Sequence, residues 1–176
     1  MEKEIKELKI ELQDEEWAYE YTDHDRNIVR AVVVDDEGYY YFAHLVRDDI
    51  FCKGEIIETS GGGVESGEDL HSAILRELKE ELGVQAEVIG KIGVVSDYYN
   101  LIHRHNINNY YLCKAISFGE KHLTEDEEKS FHLTTLRLRY EDALKEYEKC
   151  KCTKLGRVVA NRELPIIKYA NEIING

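Results

Sequence analysis

Three glutamates form the most informative group of residues in this sequence: Glu77, Glu80 and Glu81. At about 100° per residue, their spacing places all three on one face of an α-helix. Like charges on one helix face repel each other. A hard divalent cation such as Mg²⁺ offsets this repulsion, since it takes oxygen ligands and leaves positions free for phosphate. The face therefore predicts a metal site, and the alternative interpretation is a solvated, salt-bridged helix face.

The residues around this helix favour the metal site. Three glycines at 61–63 precede it, and Gly83 follows it at the position of a C-cap glycine. Glu68 lies eight residues before Arg76, and Arg76 can also pair with Glu80 at i+4. We therefore predict that Arg76 links the helix face to the preceding loop. The predicted helix covers residues 67–82, and its apolar stripe is formed by Ile74, Leu75, Leu78 and Leu82.

Residues 62–84 resemble the Nudix box, the signature of the Nudix (MutT-like) hydrolases. The pattern is Gly, five residues, Glu, seven residues, Arg-Glu-apolar, any residue, Glu-Glu, any residue, Gly-apolar. Leu78 and Val84 occupy the two apolar positions. The fixed identities, all present, are Gly62, Glu68, Arg76, Glu77, Glu80, Glu81 and Gly83.

The resemblance implies an α/β (α+β) Nudix fold, with a mixed β-sheet sandwiched between α-helices. It also implies a pyrophosphohydrolase dependent on Mg²⁺ (or Mn²⁺) that cleaves a diphosphate bond in a nucleoside diphosphate derivative. Substrates of this type include nucleoside triphosphates, dinucleoside polyphosphates and ADP-sugars. The alternative is a nucleotide-sensing regulator of the same fold without turnover.

Roles follow at the positions that match the box. Glu80 and Glu81 are expected to hold the metal together with the Gly62 carbonyl. Glu77 is expected to be a further ligand or the general base, and Glu68 and Arg76 to hold the scaffold.

A further acid is expected from the loop at 119–130. Within this loop we prefer Glu128, as an additional ligand or the base, over Glu120, Glu125 and Glu127. A solvated acidic loop is the alternative.

Substrate contacts are predicted at Tyr98, Tyr99 and Arg104. The two tyrosines stand near the place where dinucleoside polyphosphate hydrolases of this family carry a tyrosine, and they could stack on a nucleobase. Packing beside a strand is the alternative for them. Arg104 is predicted to contact phosphate, with an exposed turn as the alternative.

Two positions depart from many members of the family. Ser60 stands where they have proline, and leucines stand where they have a tryptophan, at Leu133, Leu136 and Leu138. An isomerase of the isopentenyl-diphosphate type would need a cysteine before the box. Cys52 is available, but its surroundings do not resemble that motif.

The formal net charge of −13 argues against a nucleic-acid polymer as partner, because a phosphate backbone requires a basic surface. We expect a small phosphorylated nucleotide-type substrate, no membrane partner and a possible homodimer. The charged N-terminus lacks the apolar core of a signal peptide, so a cytoplasmic location is expected. The four cysteines are interpreted as free thiols.

The element pattern predicts one domain over residues 1–176. Its parts are a strand extension at 1–27, the box at 62–84 and C-terminal helices at 140–176. The extension is predicted to form a hairpin of residues 4–12 and 16–22, followed by a turn at 23–27. The remaining predicted strands cover 28–34, 39–46, 50–58, 85–95, 107–116 and 133–139, and the remaining helices cover 140–149 and 161–174.

Overall fold

The computed structural model describes residues 4–176, and within them the strands join into one mixed sheet. These strands are β1 (Leu8–Glu11), β2 (His24–Val34), β3 (Tyr40–Asp48), β4 (Lys53–Glu58), β5 (Ser60–Gly63), β6 (Val84–Tyr99), β7 (Arg104–Phe118) and β8 (Thr134–Leu138). Their order is β1-β6-β7-β2-β3-β4, with β5 paired to β2 and β8 to β3. The central pair, β2 and β7, is parallel, whereas β6 and β7 are antiparallel.

The helices of the described residues are α1 (Leu70–Leu82), α2 (Tyr140–Cys150) and α3 (Lys154–Asn175). Helix α1 begins where the Asp69 side chain accepts a 2.8 Å hydrogen bond from the Ser72 backbone N–H. It ends at Gly83, whose φ of 66° is the left-handed conformation that glycine adopts without steric penalty. The two caps fix the extent of the helix that carries the glutamates.

Helices cover both faces of the sheet, and they therefore bury β2 on both sides. Val29 and Ala31 share a core cluster with Ile74 of α1. Val32 shares the second cluster with Ile166 of α3. A period of two therefore sends alternate residues of one strand to opposite helix layers. The predicted mixed sheet between helices is confirmed.

The N-terminal segment differs from the prediction. No strand forms at 16–22, so the predicted hairpin is wrong, and β1 instead pairs in parallel with β6. The predicted turn at 23–27 is also wrong, because β2 already begins at His24 and pairs with β7 along its whole length. Long-range pairing overrides the local turn preference of Asp and Asn here. Residues 1–3 of the predicted extension lie outside the described residues.

The glycine cluster is a strand, although the sequence suggested a loop. Residues 60–63 form β5 and pair with β2 in antiparallel register. A Cβ added to Gly61 would lie 2.0 Å from the Val29 carbonyl oxygen. None of the three glycines is among the residues with positive φ. Glycine is therefore required at position 61 by the close approach of two backbones and not by an unusual conformation.

Helix α3 begins at Lys154, seven residues before the predicted start, and runs through Pro165. The Thr153 side chain caps it by accepting a hydrogen bond from the Gly156 N–H. Within residues 4–176, no helix is long and apolar enough to cross a bilayer.

Candidate active site

Arg76 is the centre of the ion-pair network around the box. Its Nε and Nη2 donate to both carboxylate oxygens of Glu68 at 2.7 and 2.8 Å. Nη2 also donates to the Gly63 carbonyl at 3.1 Å, and Nη1 donates to Glu77 at 2.9 Å and Glu80 at 3.3 Å. The hydrogen bonds from Arg76 lower the pKa of Glu68 to about 2. One planar guanidinium thus joins the loop, strand β5 and two of the three glutamates of α1.

Glu77 packs directly against Gly62. A Cβ added to Gly62 would lie 2.6 Å from Glu77 Oε1, so any larger residue would displace the carboxylate from this position. Burial raises the pKa of Glu77, and the neighbouring Arg76 opposes this shift. The backbone of β5 and the carboxylate of α1 therefore meet at one point.

Glu81 is the most buried of the three glutamates, with 5% of its surface exposed. Burial raises its pKa well above the usual value, and the hydrogen-bonded Glu127 carboxyl raises it further. Glu58, the last residue of β4, also contributes negative charge at this position. Acids from two other elements thus lie close to the buried carboxyl group of Glu81.

The structure places Glu127, and not the predicted Glu128, beside Glu81. Glu127 belongs to a short π-helical turn, Asp126–Ser130, inside the acidic loop. Its carboxylate accepts a 2.9 Å hydrogen bond from the Thr124 N–H, while its own N–H donates to Thr124 Oγ1. Glu128 is exposed and does not line the cavity. Of these two adjacent acids, it is therefore Glu127 that lines the cavity, because of a fold of the turn that the sequence does not reveal; the role of either acid in the reaction stays a prediction.

A cavity of about 610 Å³ collects these acids on one side of α1. The glutamates that line it are Glu58, Glu65, Glu77, Glu80, Glu81 and Glu127. Glu58 was not predicted, since a single acid at the end of a strand carries no local signal.

The residues of this cavity fit a hard divalent cation in their chemistry. Carboxylate oxygens are the preferred protein ligands of Mg²⁺, and a cation would relieve the crowding around the buried Glu81. Among residues 4–176, no three acidic, His or Cys side chains are arranged closely enough to hold a metal as they stand. Arg76 holds Glu77 and Glu80 on its own side, so side-chain rotation has to complete a ligand set.

A second pocket of about 270 Å³ adjoins this cavity and contains two of the three predicted substrate residues. Tyr99 and Arg104 line it. Arg104 is half-buried at the start of β7, so the alternative of an exposed turn is wrong. Tyr98 lies elsewhere: its ring stacks on His105 at 4.7 Å and borders depressions formed with the N-terminal segment. The structure does not bring Tyr98 to this pocket.

A buried polar network holds two residues that line the pockets, Glu58 and Tyr99, and no local sequence pattern predicts it. Arg162 of α3, 1% exposed, donates to the hydroxyls of Tyr110 and Tyr99 at 2.9 and 2.7 Å. It also pairs with Glu58 at 3.3 Å and Asp97 at 3.4 Å. The site thereby depends on a helix far away in sequence.

The structure also places the residues at which this chain departs from many family members, and it places Cys52. Ser60 opens β5 opposite Ala31, and Leu133 is buried beside the cavity. Cys52 lies in the hydrophobic core, where burial raises the pKa of its thiol. It does not line the cavity, which disfavours the isomerase alternative.

Comparison with known proteins places these features in a family. The model of the NUDIX domain matches residues 24–149. The RNA pyrophosphohydrolase of Novosphingobium aromaticivorans is 36% identical over 64 residues, which cover 36% of this chain and 38% of that protein.

Solved structures share the fold at low sequence identity. A NUDIX hydrolase from Nitrosomonas europaea superposes with a TM-score of 0.57 and 15% identity, covering 84% of this chain and 86% of its own. A structure described as an ADP compounds hydrolase gives a TM-score of 0.58 and 18% identity, and the match covers 86% of this chain and 74% of that chain. With the family match over most of its length, and with the complete box on α1, the chain belongs to the family of NUDIX hydrolases.

Proposed function

We propose that this protein is a Mg²⁺-dependent pyrophosphohydrolase that cleaves the diphosphate of a small nucleotide-type substrate. The observation that carries the proposal is the convergence of Glu77, Glu80 and Glu81 with Glu58 and Glu127 on one cavity. Crowding of this kind is costly unless a cation or a proton offsets it. Such crowding of carboxylates does not stabilise the fold, so it favours a role in metal binding.

Glu80 and Glu81 are the proposed metal ligands, together with the Gly62 carbonyl and Glu77. Bound Mg²⁺ (or Mn²⁺) supplies charge neutralisation on the phosphate oxygens and lowers the pKa of attacking water. Arg76 contacts Glu77 and Glu80 at 2.9 and 3.3 Å and so limits how far their carboxylates can turn toward the metal.

In the reaction, the oxygen of a water molecule bonds to one phosphorus, and the bond from that phosphorus to the bridging oxygen breaks. The bridging oxygen keeps the electron pair, and two phosphorylated products leave. Glu127 is the proposed acceptor of the water proton. Glu77 is less suited to this role, because Arg76 already occupies its carboxylate at 2.9 Å and it is a proposed metal ligand.

The proposal of a small substrate rests on the net charge of the protein. The net charge of −13 disfavours a nucleic-acid polymer, although one similar protein is named an RNA pyrophosphohydrolase. A small substrate with its own phosphates requires only local positive charge. The single-domain organisation, the cytoplasmic location and the possible homodimer remain predictions from the sequence.

The test is a screen of nucleoside triphosphates, ADP-ribose, nucleotide sugars and dinucleoside polyphosphates with and without Mg²⁺, read as phosphate or nucleotide release. We expect turnover that EDTA abolishes and that Glu81→Gln lowers by about 10²-fold or more. Glu172→Gln, an exposed acid on α3, is the matched control. Unchanged turnover in Glu81→Gln would refute the assignment of Glu81. Saturable binding without any turnover would instead support the nucleotide-sensing alternative.

A further inference from the structure

Four arginines converge on the pocket beside the acidic cavity, in a protein with a large negative net charge. We call this pocket, which they line with Phe51, Tyr99, Phe131 and one acid, Glu58, the arginine pocket. The arginines are Arg26, Arg30, Arg47 and Arg104. Three of them, Arg26, Arg30 and Arg47, also line the acidic cavity, so the two spaces are continuous. A ligand can therefore reach from the glutamates to the arginines.

The positive charge of the arginine pocket is only partly compensated. Arg30 pairs with Glu58 at 3.5 Å, and Arg47 pairs with Asp49 at 2.7 Å. Within the described residues, no carboxylate lies at ion-pair distance from Arg26 or Arg104. Arg104 donates instead to the neutral Asn106 side chain at 2.6 Å.

The surroundings of Arg104 confirm this excess charge. Burial lowers its pKa, and the positive charges of Arg26 and Arg30 lower it further. Tyr99 and Asp97 oppose this shift in the pKa of Arg104, but Asp97 already pairs with the buried Arg162. An anion entering the pocket would thus meet two guanidinium groups without a carboxylate partner.

The aromatic rings of the pocket already have guanidinium groups against them. Arg47 lies over the ring of Phe131 at 4.4 Å and that of Phe51 at 5.3 Å. Arg104 lies over the ring of Tyr99 at 5.1 Å. These contacts orient the guanidinium groups and leave less ring surface for a nucleobase. They favour a phosphate over a base as the occupant.

We propose that the arginine pocket binds a phosphate group of the substrate additional to the diphosphate that is cleaved. The substrate would then be a polyphosphorylated compound. Its scissile bond lies at the glutamates, and a further phosphate lies at Arg26 and Arg104. This proposal rests on the proposed function, because it takes the acidic cavity as the place of cleavage. Arginine suits this task, since its planar fork binds two phosphate oxygens at once.

The kinetic test compares two substrates that differ only in phosphate number. Diadenosine tetraphosphate and diadenosine diphosphate carry the same two nucleosides. We expect kcat/KM for the tetraphosphate to be higher by about tenfold or more, mainly through KM, as one charge-assisted contact would give. The double variant Arg26→Gln/Arg104→Gln should lose this preference.

The control is Arg139→Gln, which removes an arginine that also stacks on a tyrosine, Tyr39, but outside the pocket. It should keep the full preference. Thermal unfolding of both proteins establishes that they are folded. Equal use of the two substrates by wild type, or an unchanged preference in the double variant, would overturn the proposal.

A binding measurement separates this inference from the proposed function. Inorganic tripolyphosphate is titrated calorimetrically into wild type and the double variant in EDTA and low salt. We expect wild type to bind it about tenfold more tightly than the double variant. If no substrate is hydrolysed but this difference is found, the proposed function fails and the anion site stands. If hydrolysis occurs and the two proteins bind tripolyphosphate equally, the anion site fails and the hydrolase stands.

Discussion

Truncation of Glu163 on α3 is expected to destabilise the protein strongly. This carboxylate is fully buried and accepts hydrogen bonds from the Thr59 N–H and the Tyr110 hydroxyl at 2.6 Å and from the Tyr147 hydroxyl at 2.8 Å. Arg162 lies 3.8 Å away. Removing one partner of a buried ion pair costs about 3–5 kcal/mol, and here several donors also lose their acceptor.

Two further contacts place Glu163→Ala at the lower end of this range. Arg162 keeps its contacts with Asp97 and Glu58, so its charge is not left alone. We therefore expect a loss of about 3 kcal/mol in the free energy of unfolding. For a protein of this size that corresponds to a decrease in Tm of roughly 6–12 °C.

Urea and thermal unfolding followed by circular dichroism measure this change. Glu163→Gln keeps the shape and one acceptor oxygen, so its loss should be smaller. Glu172→Ala, an exposed acid on the same helix, should change the free energy of unfolding by less than about 0.5 kcal/mol. A Glu163→Ala protein as stable as Glu172→Ala would show that the buried network contributes nothing.

The remaining predictions concern pH, the acidic loop and Gly62. Burial raises the pKa of Glu163, but Arg162 and Arg30 lower it more, so the net shift is downward. The ionised Glu163 carboxylate therefore stabilises the folded protein fully above the unfolded pKa of about 4.3. This stabilisation is lost as the pH falls through the folded pKa. The difference in free energy of unfolding between wild type and Glu163→Gln, measured with urea, should stay constant above about pH 5 and shrink below about pH 4. A difference that grows below about pH 4 would contradict the downward shift of the pKa of Glu163. Glu127→Gln should lower kcat by about 10²-fold, whereas its neighbour Glu128→Gln should stay within about twofold of wild type, and the reverse order would restore Glu128 as the functional acid. Gly62→Ala should lower activity by at least about tenfold with Mg²⁺, because its Cβ would displace the Glu77 carboxylate, and full activity would show that this contact has no role.

The sequence predicted the fold through its resemblance to the Nudix box, and it predicted the helix of glutamates through a local pattern. The spacing of Glu77, Glu80 and Glu81 follows directly from helical periodicity, and Gly83 marked the end of α1 correctly. The family is confirmed by the match over residues 24–149 and by solved structures of the same fold. The predicted link from Arg76 to Glu68 and Glu80 is present, while their roles in the reaction stay predictions.

The errors occur where long-range contacts decide the outcome. Residues 24–27 look like a turn, yet pairing with β7 makes them part of β2. Glu127 and Glu128 are adjacent acids, and only the fold of the π-helical turn shows which of them reaches Glu81. Likewise Arg26 and Arg104 are far apart in sequence. They meet because β2 and β7 begin side by side, with His24 opposite Arg104 and Arg26 opposite Asn106.

Binding of Mn²⁺ tests most directly whether a divalent cation belongs among the clustered carboxylates. Electron paramagnetic resonance reports free Mn²⁺ as protein is added, without any substrate. For wild type we expect the free signal to fall with saturation, and for Glu81→Gln we expect binding weakened by about tenfold or more. Two results would contradict a metal site at these carboxylates. One is a free Mn²⁺ signal that does not change when wild type is added, and the other is an equal decrease with wild type and with Glu81→Gln.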